Sequence, residues 1–261
     1  MIDSLYIAET GLNTYSTYLD VIANNIANIN TSGYKKTGVN FTDLVYQNPQ
    51  LNEANVAENN RSVSHQVGLG TTILSTYKVF SDGSLVQTNN PMDLAISGAG
   101  FIEVELPDGG VAYTRAGRLN TDKEGYLTTP EGYRLTSSIQ LPPDTEALVI
   151  SREGHVLVKL SGDDLPVEVG TIQLTRFMNA EALNALGFNL YTQTNESGDA
   201  FSSVPGKAGL GELIQGYHEV SNVSLTEEMV NMMTAQRAFQ LNSRVIQVAD
   251  QLLETINNIK R

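Results

Sequence analysis

Nine apolar positions open the chain at a regular spacing. Met1, Leu5, Ala8, Leu12, Tyr15, Leu19, Ile22, Ile26 and Ile29 follow one another in steps of four and three, and no polar residue interrupts them. Those steps put all nine side chains on one stripe of a helix, and a sustained repeat of about 3.5 residues marks a coiled-coil seam. The positions between are mostly polar or small, among them Asp3, Glu9, Asn13, Thr17 and Asp20. The pattern predicts a helix of roughly 45 Å, at ~1.5 Å per residue. It is closed by Asn30-Thr31-Ser32-Gly33, where Asn and Gly accept left-handed backbone angles. Gly11 costs the helix about 1 kcal/mol against Ala; it is either a tolerated weakness or the mark of a close helix contact.

A matching series stands at the other end of the chain. Met232, Ala235, Phe239, Asn242, Ile246, Ala249, Leu253 and Ile256 repeat the steps of three and four, and Leu241, Val245, Val248, Leu252 and Ile259 run beside them. Two adjacent stripes make a face too wide for one partner helix. Asn242 is the one polar residue of the first stripe. It either fixes register on the seam or points to solvent at its edge.

Between the helices the period changes to two. In Phe101–Leu106, Ile102, Val104 and Leu106 face one way and Glu103 and Glu105 the other. Pro107-Asp108-Gly109-Gly110 turns the chain back into Val111–Arg115, and further turns are expected at 122–125, 130–132 and 152–154. Strands are expected at 73–80, 148–151, 155–160 and 171–177, with Glu212–Val220 returning as one more, and Asn195–Gly211 reads as a loop. Phe41, Leu44, Val45 and Tyr46 indicate a short ordered piece, whereas Gln47–His65 is polar and Asn-rich and reads as a long loop. The expected fold class is α+β. Residues 1–34 and 221–261 supply helices of a coiled-coil-like inner domain, 35–70 an irregular or extended segment, and 71–220 an all-β domain.

Charge narrows the function. The net value is −13, of which residues 1–34 carry −3 and residues 221–261 sum to zero, so the excess lies in the middle. An acidic middle argues against nucleic acid and against an anionic membrane surface. No Cys is present, which removes disulfides, thiolate metal sites and a Cys nucleophile. No cleaved signal peptide is expected, because the N-terminus lacks a basic segment followed by an apolar run, and no stretch approaches the ~20 apolar residues of a membrane span.

Candidate chemistry is sparse. His65, His155 and His218 form no ligand pair at helical spacing, and neither a nucleophile elbow nor a phosphate loop occurs. Asn120, Asp122, Glu124, Gly125 and Glu131 fall on calcium-loop positions, but with strand-like flanks, and a β-hairpin turn accounts for the same residues. No catalytic residue, metal or cofactor is expected.

Several stretches together resemble one family. Leu19-Asp20-Val21-Ile22-Ala23-Asn24-Asn25-Ile26-Ala27-Asn28, followed by Asn30-Thr31-Ser32-Gly33-Tyr34-Lys35, is similar to the N-terminal motif of bacterial flagellar rod and hook proteins. Ser221-Asn222-Val223, Glu228-Met229-Val230 and Gln236-Arg237-Ala238-Phe239 are similar to its C-terminal motif. Asn90–Phe101, Ala112–Gly117, Gly187–Tyr191 and Gln215-Gly216-Tyr217 resemble its β domain. Phe239-Gln240 stands where the family usually has Tyr-Glu, and Arg244 where Lys is common. Length and middle segments most resemble the distal-rod branch.

The resemblance implies a structural subunit, not an enzyme. It would leave the cytoplasm through the flagellar type III apparatus and polymerise helically with itself into a rigid hollow shaft that crosses the periplasm and carries motor torque. It would meet proximal-rod and hook-side axial proteins and surrounding ring proteins. The stripe residues would be the assembly interface, and Gln47–His65 would bridge neighbouring subunits. Terminal helices that bury one stripe each cannot offset the backbone entropy of ordering them, so they are expected to be loose until subunits stack. The alternatives are a proximal-rod or hook-type protein of the same family, a free-standing acidic β-domain binding module, and a secreted carbohydrate-active enzyme. The last needs a convergent carboxylate pair that no pattern here supplies.

Overall fold

A computed structural model describes residues 2–47, 67–161 and 165–259. The described chain is α+β: one helix near each terminus and short antiparallel strands between. Met1 and nearly all of Gln47–His65 lie outside the described residues, and of Ile259 only the backbone is described. The fold forms two compact units.

The first unit holds helix α1 (Ile2–Ala27), helix α2 (Leu225–Ile259) and a ribbon in which Thr37–Asp43 pairs with Thr71–Lys78. Of the short ordered piece expected at Phe41, Leu44, Val45 and Tyr46, only Phe41 belongs to that seven-residue strand; Leu44 and Val45 follow it, and Tyr46–Gln47 pairs with Val67–Gly68. The strand Thr37–Asp43 is fixed by side chains of α1. The Phe41 ring packs on Tyr15 and edge-on against Tyr18, at 6.3 and 5.3 Å between centroids, and the Thr14 hydroxyl donates to the Thr71 carbonyl at 3.0 Å.

The two helices meet antiparallel. Gly11 lies against Asn242, so close that a Cβ on Gly11 would come within 2.8 Å of the Asn242 amide nitrogen. Fourteen residues later in α1 and fourteen earlier in α2, the Asn25 amide donates to Glu228 at 3.4 Å. This register makes Glu228, Ala235, Asn242 and Ala249, each seven apart, the inward row of α2. Three are buried and Asn242 is half-buried.

On α1 the buried positions are Ala8, Gly11, Thr14, Ile22 and Asn25, one edge of the apolar stripe. Leu5, Leu12, Tyr15, Leu19 and Ile26 stay half-buried in this unit. On α2, Met232 and Ile246 are half-buried, and Phe239, Leu253, Ile256 and the second row Leu241, Val245, Val248 and Leu252 are exposed.

The second unit is the β body with the segment 27–36. Its main sheet has nine strands, and Phe101–Glu105 is the hub. That strand pairs with Val111–Thr114, Arg134–Leu135 and Leu174–Arg176. Ile102 and Val104 are buried as the alternation predicts, and Leu106 packs against the same core. The Pro107–Gly110 hairpin brings Glu105 opposite Val111. A three-stranded sheet of Thr145–Ile150, His155–Leu160 and Val167–Thr171 stands beside it.

Two expected strands are each broken in two. The stretch 171–177 splits after Thr171, because the chain leaves the three-stranded sheet there and Leu174–Arg176 joins the main one. The stretch 212–220 splits at Gly216, whose φ of +77° turns the chain. Glu212–Gln215 then pairs with Leu94–Ser97, and Tyr217–Glu219 with Leu85–Gln87. The expected loop 195–211 contains a short strand, Phe201–Ser203, that completes the main sheet.

The Gly11–Asn242 contact predicts a coupling. Gly11→Ala alone should gain none of the ~1 kcal/mol that Ala offers over Gly in a helix, because its methyl displaces Asn242. In an Asn242→Ala background the same change should recover about that amount. Thermal melts followed at the helix band, read as a double-mutant cycle, check it.

Candidate functional site

The residues carrying the terminal motifs converge in two places, one in each unit. In the helical unit the centre is Asn25, which is 1% exposed. Its side-chain oxygen accepts the Thr37 N–H at 2.9 Å, and its amide donates to the Thr37 carbonyl at 3.0 Å. The side chain thus completes both backbone groups of the residue that starts the ribbon, and Glu228 receives the remaining reach of the amide. Ala23, Asn24 and Ala27 are exposed on the other side of α1.

In the β body the centre is a buried ion cluster. Lys35 is wholly buried; its ammonium donates to Glu219 at 2.5 Å and to the Ser81 carbonyl at 2.7 Å. Arg115, also buried, donates from Nε to the other Glu219 oxygen at 3.2 Å, from Nη1 to the Gly100 carbonyl at 3.3 Å and from Nη2 to Asp82 at 3.0 Å. The Gly83 N–H completes the shell of Glu219.

Burial lowers the Lys35 pKa below its ordinary value, with Arg115 adding to that effect and Glu219 opposing it. Beside the cluster, Tyr34 is buried and takes the Lys78 ammonium over its ring at 4.5 Å. Burial raises the pKa of the Tyr191 phenol.

Backbone contacts extend the same junction. Gly33, at φ +71°, donates its N–H to the Glu219 carbonyl and faces Ala116 so closely that a Cβ would lie 2.9 Å from its backbone. Asn222 accepts the Lys36 N–H at 2.8 Å and donates to the Val79 carbonyl at 2.8 Å. Thr31 bonds the Asn28 side chain, which closes the turn after α1. The segment leaving α1 and the segment entering α2 are therefore held by the same few groups. Every charge in the cluster is engaged by another, and the cluster ties these segments together geometrically.

Sequence reasoning singled out Asn25, Gly33, Tyr34, Lys35, Arg115 and Glu228 through motifs and missed Glu219, the carboxylate that joins two of them. Its only local signal is an acid in an otherwise strand-like stretch.

The other candidate residues resolve locally. Asn120–Thr121 pairs with Leu127–Thr128 around the 122–125 turn, and Arg134 bonds both Asp122 and Glu124, at 2.9 and 2.8 Å. Asp122 and Glu124 of the calcium-like pattern thus serve a hairpin. His155 meets Glu168 at 2.7 Å, His218 sits in the strand Tyr217–Glu219, and His65 lies outside the described residues. Among the described residues no group of three or more His, Asp or Glu is placed to hold a metal ion. No described helix is long and apolar enough to cross a membrane.

The cluster predicts unequal losses. Glu219→Gln leaves Lys35 and Arg115 buried without their shared counter-ion and should cost roughly 3–5 kcal/mol. Lys35→Met should cost less, because Arg115 still neutralises Glu219 and a charge that burial already disfavours is gone. Urea denaturation of both variants checks the order.

Three family models cover the motif regions. Residues 5–35 match "Flagella basal body rod protein", residues 95–158 "Flagellar hook protein FlgE/F/G D1 domain", and residues 214–259 "Flagellar basal body rod FlgEFG protein C-terminal". Whole relatives match as well. The flagellar basal-body rod protein FlgG of Borreliella burgdorferi is 41% identical over 264 residues, covering 100% of both chains. That of Caulobacter vibrioides is 39% identical over 259 residues, covering 98% of this chain and 99% of its own. That of Bacillus subtilis is 37% identical over 266 residues, covering 100% of both. On this full-length similarity the chain belongs to the FlgG family of flagellar basal-body rod proteins, structural components of the bacterial flagellum and not enzymes.

Proposed function

We propose that this rod subunit polymerises helically with copies of itself as the distal part of the flagellar rod, a hollow shaft that transmits motor torque to the hook. The observation that carries the reading is the unmatched apolar surface of the helices. Leu241, Val245, Val248 and Leu252 form an exposed row along α2, and Leu5, Leu12, Leu19 and Ile26 a half-buried row along α1. The contact between the helices uses Glu228, Ala235, Asn242 and Ala249, which are small or polar and bury little apolar area. Exposed rows of this length mark an interaction surface, and two rows per chain suit a bundle of helices from several copies.

In this reading residues 1–34 and 221–261 build the inner tube and 71–220 the outer layer. The segment 35–70 extends the contacts between copies. Head-to-tail contacts that do not close produce an open helical filament. Proximal-rod and hook-side axial proteins would meet its ends, ring proteins its outer surface, and the flagellar export apparatus would deliver the subunit to a rod crossing the periplasm. Helices with so little burial inside one chain would stay loose through a narrow export channel and order on stacking.

Val245→Asp tests the proposal in the full-length protein. The site is exposed, so the β body should unfold as in the parent chain. In the parent chain, sedimented mass and helix signal should rise together across a concentration series; in the variant both should stay at the monomer level, and cells carrying it should not swim. A parent chain that remains a monomer of fixed helix content at every concentration would sink the polymer reading in favour of a free-standing binding module.

A further inference from the structure

One exposed side chain stands on a backbone that does not suit it. Asn184–Gly187 and Leu190–Thr192 form a hairpin whose loop is two residues long, with Gly187 opposite Leu190. The loop residues, Phe188 and Asn189, both have positive φ, +52° and +57°. That is the type I′ geometry that twisted hairpins favour, and Asn or Gly is the usual occupant because both central residues must be left-handed. Asn189 fits. Phe188 does not: a bulky residue at positive φ is an outlier. Nor does burial reward it, since the ring is 72% exposed. Its neighbour Leu186 is exposed too. Strain kept at a position with no packing return points to a role outside the folded chain.

We propose that Phe188, with Leu186, is a docking knob for a second copy of this chain; the inference rests on the polymer reading above and adds the β body's contact to it. Two observations commit the occupant. The first is placement. The Asn189 amide donates to the Ser32 carbonyl at 2.9 Å, which pins the loop to the segment that carries Ile29, the last member of the N-terminal apolar series. The knob is thereby held next to a stretch already assigned to contacts between copies.

The second observation is charge. Two chains of net charge −13 repel wherever acidic surfaces approach. No charged residue lies between Glu181 and Glu196, and none between Asp20 and Lys35. The hairpin and the segment it is pinned to are long uncharged windows, where a second copy can approach without like-charge contact. A basic partner would find nothing there to pair with.

The test substitutes Phe188→Asn in the full-length protein. Asn tolerates the left-handed angle, so the urea midpoint of the unassembled chain should rise. Without the ring the critical concentration for polymer should rise at least tenfold. A structural role alone would move both in the unfavourable direction or neither. In the parent polymer, a photo-reactive phenylalanine at position 188 should cross-link to a second copy. A variant that polymerises at the parent's concentration, or a polymer with no cross-link between copies, would overturn the knob and leave the polymer reading intact. A parent chain that never polymerises would overturn both, so the two failures are told apart.

Discussion

Two buried cations share one carboxylate in the β body, and the segment after the N-terminal motif and the one before the C-terminal motif are tied together by that arrangement. Lys35 follows the N-terminal motif, Glu219 precedes the C-terminal one, and Arg115 comes from the strand region between. Buried charges in low dielectric are costly unless each is met by a partner and by hydrogen bonds. Here the Ser81 and Gly100 carbonyls and the Gly83 N–H supply those bonds. The gain over an apolar plug is specificity more than stability. An apolar plug tolerates sliding and repacking, whereas a carboxylate fixed by two cations and a backbone N–H admits one geometry. Gly33 and Asn222 add backbone bonds on either side, so residues 33–36 and 219–222 are held together within the β body.

The helical unit answers a related question with weaker means. Its inward row on α2, Glu228-Ala235-Asn242-Ala249, keeps the heptad period without the apolar content that usually accompanies it. Gly11 and Asn242 mesh because one has no side chain, and Asn25 reaches both the ribbon and Glu228. Such contacts discriminate register well, since a slide of one turn would set Asn242 against a side chain in place of Gly11. They contribute little burial, and the apolar positions one step around each helix stay exposed or half-buried.

How far the fold could be read depended on what each element is made of. The Phe101–Thr114 hairpin was legible because strict alternation and Pro-Asp-Gly-Gly state both faces and the turn. Both helices were legible because their steps of three and four run for eight or nine positions, interrupted only by Asn242 in the second. Which half of each stripe faces inward was not, because period alone cannot separate two adjacent heptad positions that are both apolar or small. The division of 212–220 at Gly216 was hidden for another reason: the two pieces read as one strand until each is seen with its own partner strand. Glu219 was missed because 184 residues separate it from Lys35, and an isolated acid has no period to betray it. Motif resemblance covered Lys35 and Arg115 in two separate stretches, but their physical tie is visible only in three dimensions.

The two kinds of helix position divide the work that any self-assembling chain must do. Specificity needs groups that punish a wrong fit: Asn25 and Glu228 do so because misplacement breaks the hydrogen bond between buried side chains, and Asn242 does so sterically against Gly11. Affinity needs apolar area, and the outer rows of Leu, Ile and Val hold it. Had the apolar residues been inside and the polar ones outside, each chain would satisfy its own helices and have no reason to associate. Had both rows been apolar, the helices could pair in several registers and the ends of the chain would be sticky before they met the right neighbour. The arrangement observed fixes geometry within one chain by polar contacts and leaves the outer apolar rows exposed or half-buried. In the polymer proposed above, the larger hydrophobic gain would then come only with another copy, as growth subunit by subunit requires.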